Sequence, residues 1–127
     1  MKKKIQYPIE KLEPHTIEQL IKIAPLHTYS AQSDLFYEGQ TPVVAFLLIK
    51  GQVQLVKKKK VRKILNPGDL IGLRELIEHS PFPLSAQILP NTEVCFLDKS
   101  TIFDILNASD DHLSEIIKEI LYTEKSA

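Results

Sequence analysis

Between Leu26 and Leu97 the apolar residues come in short runs separated by Gly, Pro and Asn, and this punctuation limits the fold more than any other feature of the chain. Runs of this length are strand-sized and too short for most helices. Leu35-Phe36-Tyr37 leads into Glu38-Gly39-Gln40. Val43 to Ile49 is a continuous apolar strand that stops at Lys50-Gly51. Gln52 to Val56 alternates, with Val53 and Leu55 on one face. Lys57 to Lys60 form a charged tip, and Val61 to Leu65 returns as the second arm of a hairpin. Asn66-Pro67-Gly68-Asp69 is a turn, because Pro presets φ and Gly tolerates φ > 0. Leu84–Leu89 and Thr92–Leu97 are two further strands, joined through Pro90-Asn91.

Helical periodicity is confined to the flanks and one insertion. Thr16 with Gln19 three residues later reads as a capping box before Ile17, Leu20 and Ile21, and Pro25 ends that segment. Leu73 to His79 is helix-compatible until Ser80-Pro81-Phe82-Pro83 interrupts it. Asp98 or Ser100 caps a helix that runs to about Leu106 and stops at Asn107. Ser109 caps a last helix, on which Leu113, Ile116, Ile117, Ile120 and Leu121 make an apolar stripe. The expected fold is mainly β: a double-stranded β-helix (jelly-roll, cupin-like) barrel of about eight strands with flanking N-terminal and C-terminal helices. The expected division is a flexible N-terminal arm over 1–14, the barrel over 15–108 and the C-terminal helix over 109–127.

A chain of 127 residues, 43% of them hydrophobic, fits one domain with an ordinary core. Lys plus Arg and Asp plus Glu number 16 each, so no net field pulls the chain onto nucleic acid or an anionic membrane. The charges do segregate: residues 1–63 hold 12 basic against 5 acidic side chains, and residues 64–127 hold 4 against 11. A single cysteine makes no internal disulfide. The basic N-terminus lacks the apolar run of a signal peptide, and no stretch approaches the roughly 18 apolar residues of a membrane span. The expected location is the cytoplasm. Cys95 reads as a packing residue. The four histidines are scattered, so no metal or other cofactor is expected. No nucleophile triad, phosphate loop or carboxylate pair appears, and no enzymatic activity is expected. The Lys57–Lys60 run reads as a charged tip that keeps an edge strand from pairing.

In their order, several segments resemble the cyclic-nucleotide-binding domain of the catabolite-activator (Crp/Fnr) type. Phe36-Tyr37-Glu38-Gly39-Gln40 looks like the family's entry to the barrel. Phe46 to Leu55, centred on Lys50-Gly51-Gln52-Val53, looks like its "YxIxxGxVxV" strand pair. Leu65-Asn66-Pro67-Gly68-Asp69-Leu70-Ile71-Gly72 looks like its "LxxGDxxGE" approach to the phosphate-binding cassette. The resemblance implies a ligand cassette at Gly72, Leu73, Arg74, Glu75, Leu84, Ser85 and Ala86. It departs from the family at the two positions that matter most for a ligand. A Glu that binds the ribose 2′-hydroxyl is replaced by Leu73. An Arg that neutralises the cyclic phosphate, ahead of the Ser-Ala pair, is replaced by Leu84. A lost buried charge partner costs about 2–5 kcal/mol and a lost sugar hydrogen bond about 1 kcal/mol. At about 1.4 kcal/mol per tenfold, a micromolar site becomes roughly millimolar or weaker.

The expectation is a stand-alone regulatory domain with a degenerate cassette and a protein partner, a homodimer through the Leu113–Leu121 stripe included. With no helix-turn-helix following, direct DNA binding is not expected, nor is a membrane. The alternative is a sensor of a cyclic nucleotide or another small anion, held by Gly72 to Glu75 and Ser85 with Arg74 supplying charge. A cupin-type enzyme would require a bound metal. The stripe either folds over the cassette made by Leu73 and Leu84 or pairs with a second copy.

Overall fold

The computed structural model describes residues 9–108 and 111–122. In these the elements run β1 (Ile9–Lys11), α1 (Pro14–Ile21), β2 (Leu26–Tyr29), β3 (Ser33–Phe36), β4 (Val44–Lys50), β5 (Val53–Lys57), β6 (Lys60–Leu65) and β7 (Asp69–Ile71). They continue with α2 (Leu73–Glu78), β8 (Ser85–Ile88), β9 (Thr92–Asp98), α3 (Lys99–Asn107) and α4 (His112–Tyr122). The strands form two antiparallel sheets, one ordered β1-β7-β4-β9-β2 and the other β3-β8-β5-β6. The expected jelly roll with flanking helices is therefore the observed architecture.

Three layers explain the two strand patterns. The space between the sheets is filled by Phe46, Leu48, Ile71 and Val94 from one sheet and Val53, Leu55, Ala86 and Ile88 from the other. The opposite face of the five-stranded sheet presents Ala45, Leu47, Leu70, Cys95 and Leu97, and the helices cover it. Strand β4 is thus buried on both faces, which is why Val44 to Ile49 is an unbroken apolar run; Val43 precedes the strand and is exposed. Strand β5 has one outward face, and there the sequence alternates.

Several local expectations are corrected. Ile9–Lys11, expected within a flexible arm, pairs antiparallel with β7, Ile9 opposite Ile71 and Lys11 opposite Asp69. Leu12 is buried beyond it. Three residues show too little alternation to be recognised as a strand. Thr16 is not an N-cap: it is buried inside α1, which starts at Pro14 after Glu13. Proline suits the first helical position because that residue's missing N–H has no helical acceptor and its fixed φ is already helical. Ser109, the expected cap of α4, lies outside the described residues. At that end the Asp111 Oδ1 accepts the Leu113 N–H at 3.0 Å. Asp98 does cap α3, accepting the Thr101 N–H at 2.8 Å.

Candidate functional site

Strand β7 ends at Gly72, which turns the chain into α2. Its backbone is left-handed (φ +80°), and an added Cβ would stand 2.7 Å from the Phe82 ring, so glycine is required on both counts. Helix α2 closes at His79, and Ser80-Pro81 leads into Phe82. That residue is pinned through its backbone. Its N–H donates to the Gln40 carbonyl at 2.9 Å, and its carbonyl accepts the Gly39 N–H at 2.8 Å. The Phe82 ring stacks on Phe36, centroids 3.7 Å apart at 16°, and only 2% of the residue is exposed. The sequence predicts only an interruption over Ser80–Pro83 and gives its aromatic no role. The one available signal was a large apolar residue held between two prolines.

The residues expected to form one cassette are placed in different surroundings. Leu84 and Ala86 are fully buried between the sheets, in the cluster that holds Phe36 and Phe82. Leu73 is buried on the helical side, with Leu76, Leu113, Ile117 and Leu121. The two leucines do not make a common apolar surface. Ser85 has the opposite parity from Ala86 on β8 and faces outward, where its Oγ accepts the Glu38 N–H at 2.9 Å. Glu75 lies in the first turn of α2, and its carbonyl accepts the Ser80 N–H at 3.1 Å.

Arg74 turns toward α4. Its guanidinium donates to the Leu121 carbonyl at 3.3 Å and to the Ile120 carbonyl, and it pairs with Glu78 at 3.7 Å. These carbonyls sit at the negative end of α4, so a cation there satisfies acceptors and offsets the helix dipole. The guanidinium also lines a hollow of about 350 Å³ with Glu10, Glu13, Glu119 and Ile116. The apolar stripe of α4 faces its own chain: Leu113, Ile117 and Leu121 are buried, with Ile116 and Ile120 packed beside them. Among the described residues no cluster of His, Cys, Asp and Glu could hold a metal. No helix among them is long and apolar enough to cross a membrane.

Residues 26–109 match the family model of the cyclic nucleotide-binding domain. The chain belongs to that family. Among solved structures, this chain is similar to the catabolite activator protein of Thermus thermophilus. The two share 20% identity with a TM-score of 0.68, over 87% of this chain and 53% of that one. The chain thus spans about half the length of that activator. A second similar structure comes from work on a cyclic-GMP-dependent signalling pathway that regulates bacterial phytopathogenesis. There the identity is 16% and the TM-score 0.71, over 91% of this chain and all of that one. A putative cyclic nucleotide-binding protein of Geobacter metallireducens aligns at 17% identity and a TM-score of 0.60, over 87% of this chain and 79% of that one. No curated protein matches the sequence. At these identities the structural likenesses carry the fold, and the family match independently assigns the domain.

Proposed function

We propose that this cyclic nucleotide-binding-type domain is a regulatory, non-catalytic module that works through protein–protein contacts and does not hold cyclic AMP or cyclic GMP in the family's usual way. The observation that carries this reading is the Phe36–Phe82 stack, packed between the sheets against Gly72 with Leu84 and Ala86 in the same cluster. A nucleotide entering on the Cβ side of Gly72 would have to displace Phe82. Exposing such a ring costs about 1.5–3 kcal/mol, on top of about 2–5 kcal/mol for the phosphate's missing charge partner.

The sensor alternative draws on Ser85 and Arg74, and both are engaged elsewhere, Ser85 with the Glu38 amide and Arg74 with α4. A homodimer through the α4 stripe would have to unpack Leu113, Ile117 and Leu121 from their own core, so the contact surface is better sought outside that stripe. Thermal unfolding with millimolar cyclic AMP and cyclic GMP tests the reading. A ligand present at about 100 times its Kd stabilises by about 2.7 kcal/mol. The expected result is no shift, and a saturable shift with either nucleotide overturns the reading.

A further inference from the structure

We propose that the outer edge of β6, with the lysine tip beside it, docks an acidic extended segment of a partner protein, which adds a strand to the four-stranded sheet. The proposal deepens the protein-contact reading and rests on it only for the existence of a partner. Among the described residues, strand β6 is the last in its sheet and pairs there with β5 alone. Residues 58–64 are all exposed, Val61 by 50% and Ile64 by 45%. The hairpin register orients the edge. Lys57 opposite Lys60 closes a two-residue turn, which is the hydrogen-bonded position of such a hairpin. The next pair, Val56 and Val61, is then non-hydrogen-bonded, so the Val61 N–H and carbonyl point away from β5 toward the open edge.

Charge selects the occupant. Lys57 is already paired with Glu38 at 3.8 Å and donates to the Pro83 carbonyl, which leaves Lys58, Lys59 and Lys60 to face a partner. A second copy of β6 would set lysines against lysines, and like charges across strands are destabilising. An acidic strand meets attraction instead. The turn itself argues that the lysines are there for a purpose beyond chain reversal. Lys58 and Lys59 both have positive φ (+53° and +64°), where Asn-Gly would be far easier to accommodate. A polypeptide is favoured over a nucleic acid because the open edge offers backbone groups that only another strand satisfies in register, and no aromatic interleaves the lysines.

The test is fluorescence anisotropy of the full chain with a labelled peptide of alternating Glu and Val. Two controls accompany it: an alternating Lys-Val peptide, and the Glu-Val peptide N-methylated at every amide, so that neither of its edges can donate to β6. Binding of the Glu-Val peptide alone is expected. Val61→Pro keeps every charge and removes one edge donor, and it is expected to weaken binding about tenfold, the worth of one ladder hydrogen bond. The double variant Lys58→Glu, Lys59→Glu is expected to weaken it at least as much. Unchanged binding of the N-methylated peptide would leave charge alone as the cause and overturn the proposal, even if Val61→Pro failed to fold. No binding of the Glu-Val peptide also overturns it. So does tighter binding of heparin or phosphatidylserine vesicles with the same lysine dependence. Nucleotide binding is scored separately, so the failure of the edge and the failure of the ligand-independent reading remain distinct results.

Discussion

At Gly51 an added Cβ would stand 2.7 Å from the Thr92 Cα and 2.8 Å from the Asn91 carbonyl oxygen, both backbone atoms that cannot swing aside. With φ at +88° as well, Gly51→Ala is expected to destabilise by about 1–3 kcal/mol or more, read from the urea midpoint. Asp98 supplies a pH signature. Its hydrogen bond from the Thr101 backbone holds the carboxyl below its ordinary range. A carboxyl depressed on folding stabilises above its unfolded pKa, and that contribution disappears as the pH falls through the folded value. Asp98→Asn keeps a capping oxygen and should flatten this part of the acid limb in a Tm-against-pH series. Cys95 lies at the opposite extreme. Burial pushes its thiol up, with Glu93 adding to the effect, so it stays a protonated packing group at neutral pH. Ellman's reagent is expected to react with it only as the chain unfolds.

The elements differ in how far local sequence specifies them. Helix α3 follows from its Asp98 cap, and β5 from its alternation. The β5–β6 turn does not follow from local preference, since Lys58 and Lys59 are poor residues for positive φ. Lys59→Gly is therefore expected to stabilise by about 1 kcal/mol, the left-handed cost of a non-glycine residue, as measured by denaturant unfolding. Helix α4 is too short to persist alone in water and depends on its packing. Ile117→Ala removes a fully buried side chain and should cost about 2–5 kcal/mol of stability. Arg74→Met acts more locally by releasing the Ile120 and Leu121 carbonyls. The expected result is faster amide exchange in α4 with β4 and β9 unchanged.

At the scale of the molecule, one sheet lies between the other sheet and a layer of helices, and the aromatic stack occupies the interior beside Gly72. Phe82→Ala is expected to cost about 3–5 kcal/mol by leaving a cavity between the sheets. On the proposed reading that Leu84 takes the place of the family's Arg, the cavity alone should not confer nucleotide affinity, which calorimetric titration of the variant checks. The charge segregation also takes a spatial form: the lysines of residues 57–60 gather at one hairpin on the edge of the four-stranded sheet.

The sequence by itself determined the strand-rich domain, its turns and the α3 cap. All of these follow from local backbone preference, apolar spacing or motif order. Only the tertiary structure decided that Ile9–Lys11 is a strand, since a three-residue segment gains its order from β7, some 60 residues away. The same holds for the direction of Arg74, whose acceptors belong to α4, and for the assignment of Leu73 and Leu84 to separate clusters. Phe82 is the clearest case. Two prolines mark its position in the sequence, but its role as interior packing comes from contacts with Phe36, Gln40 and Gly72 that no local rule encodes.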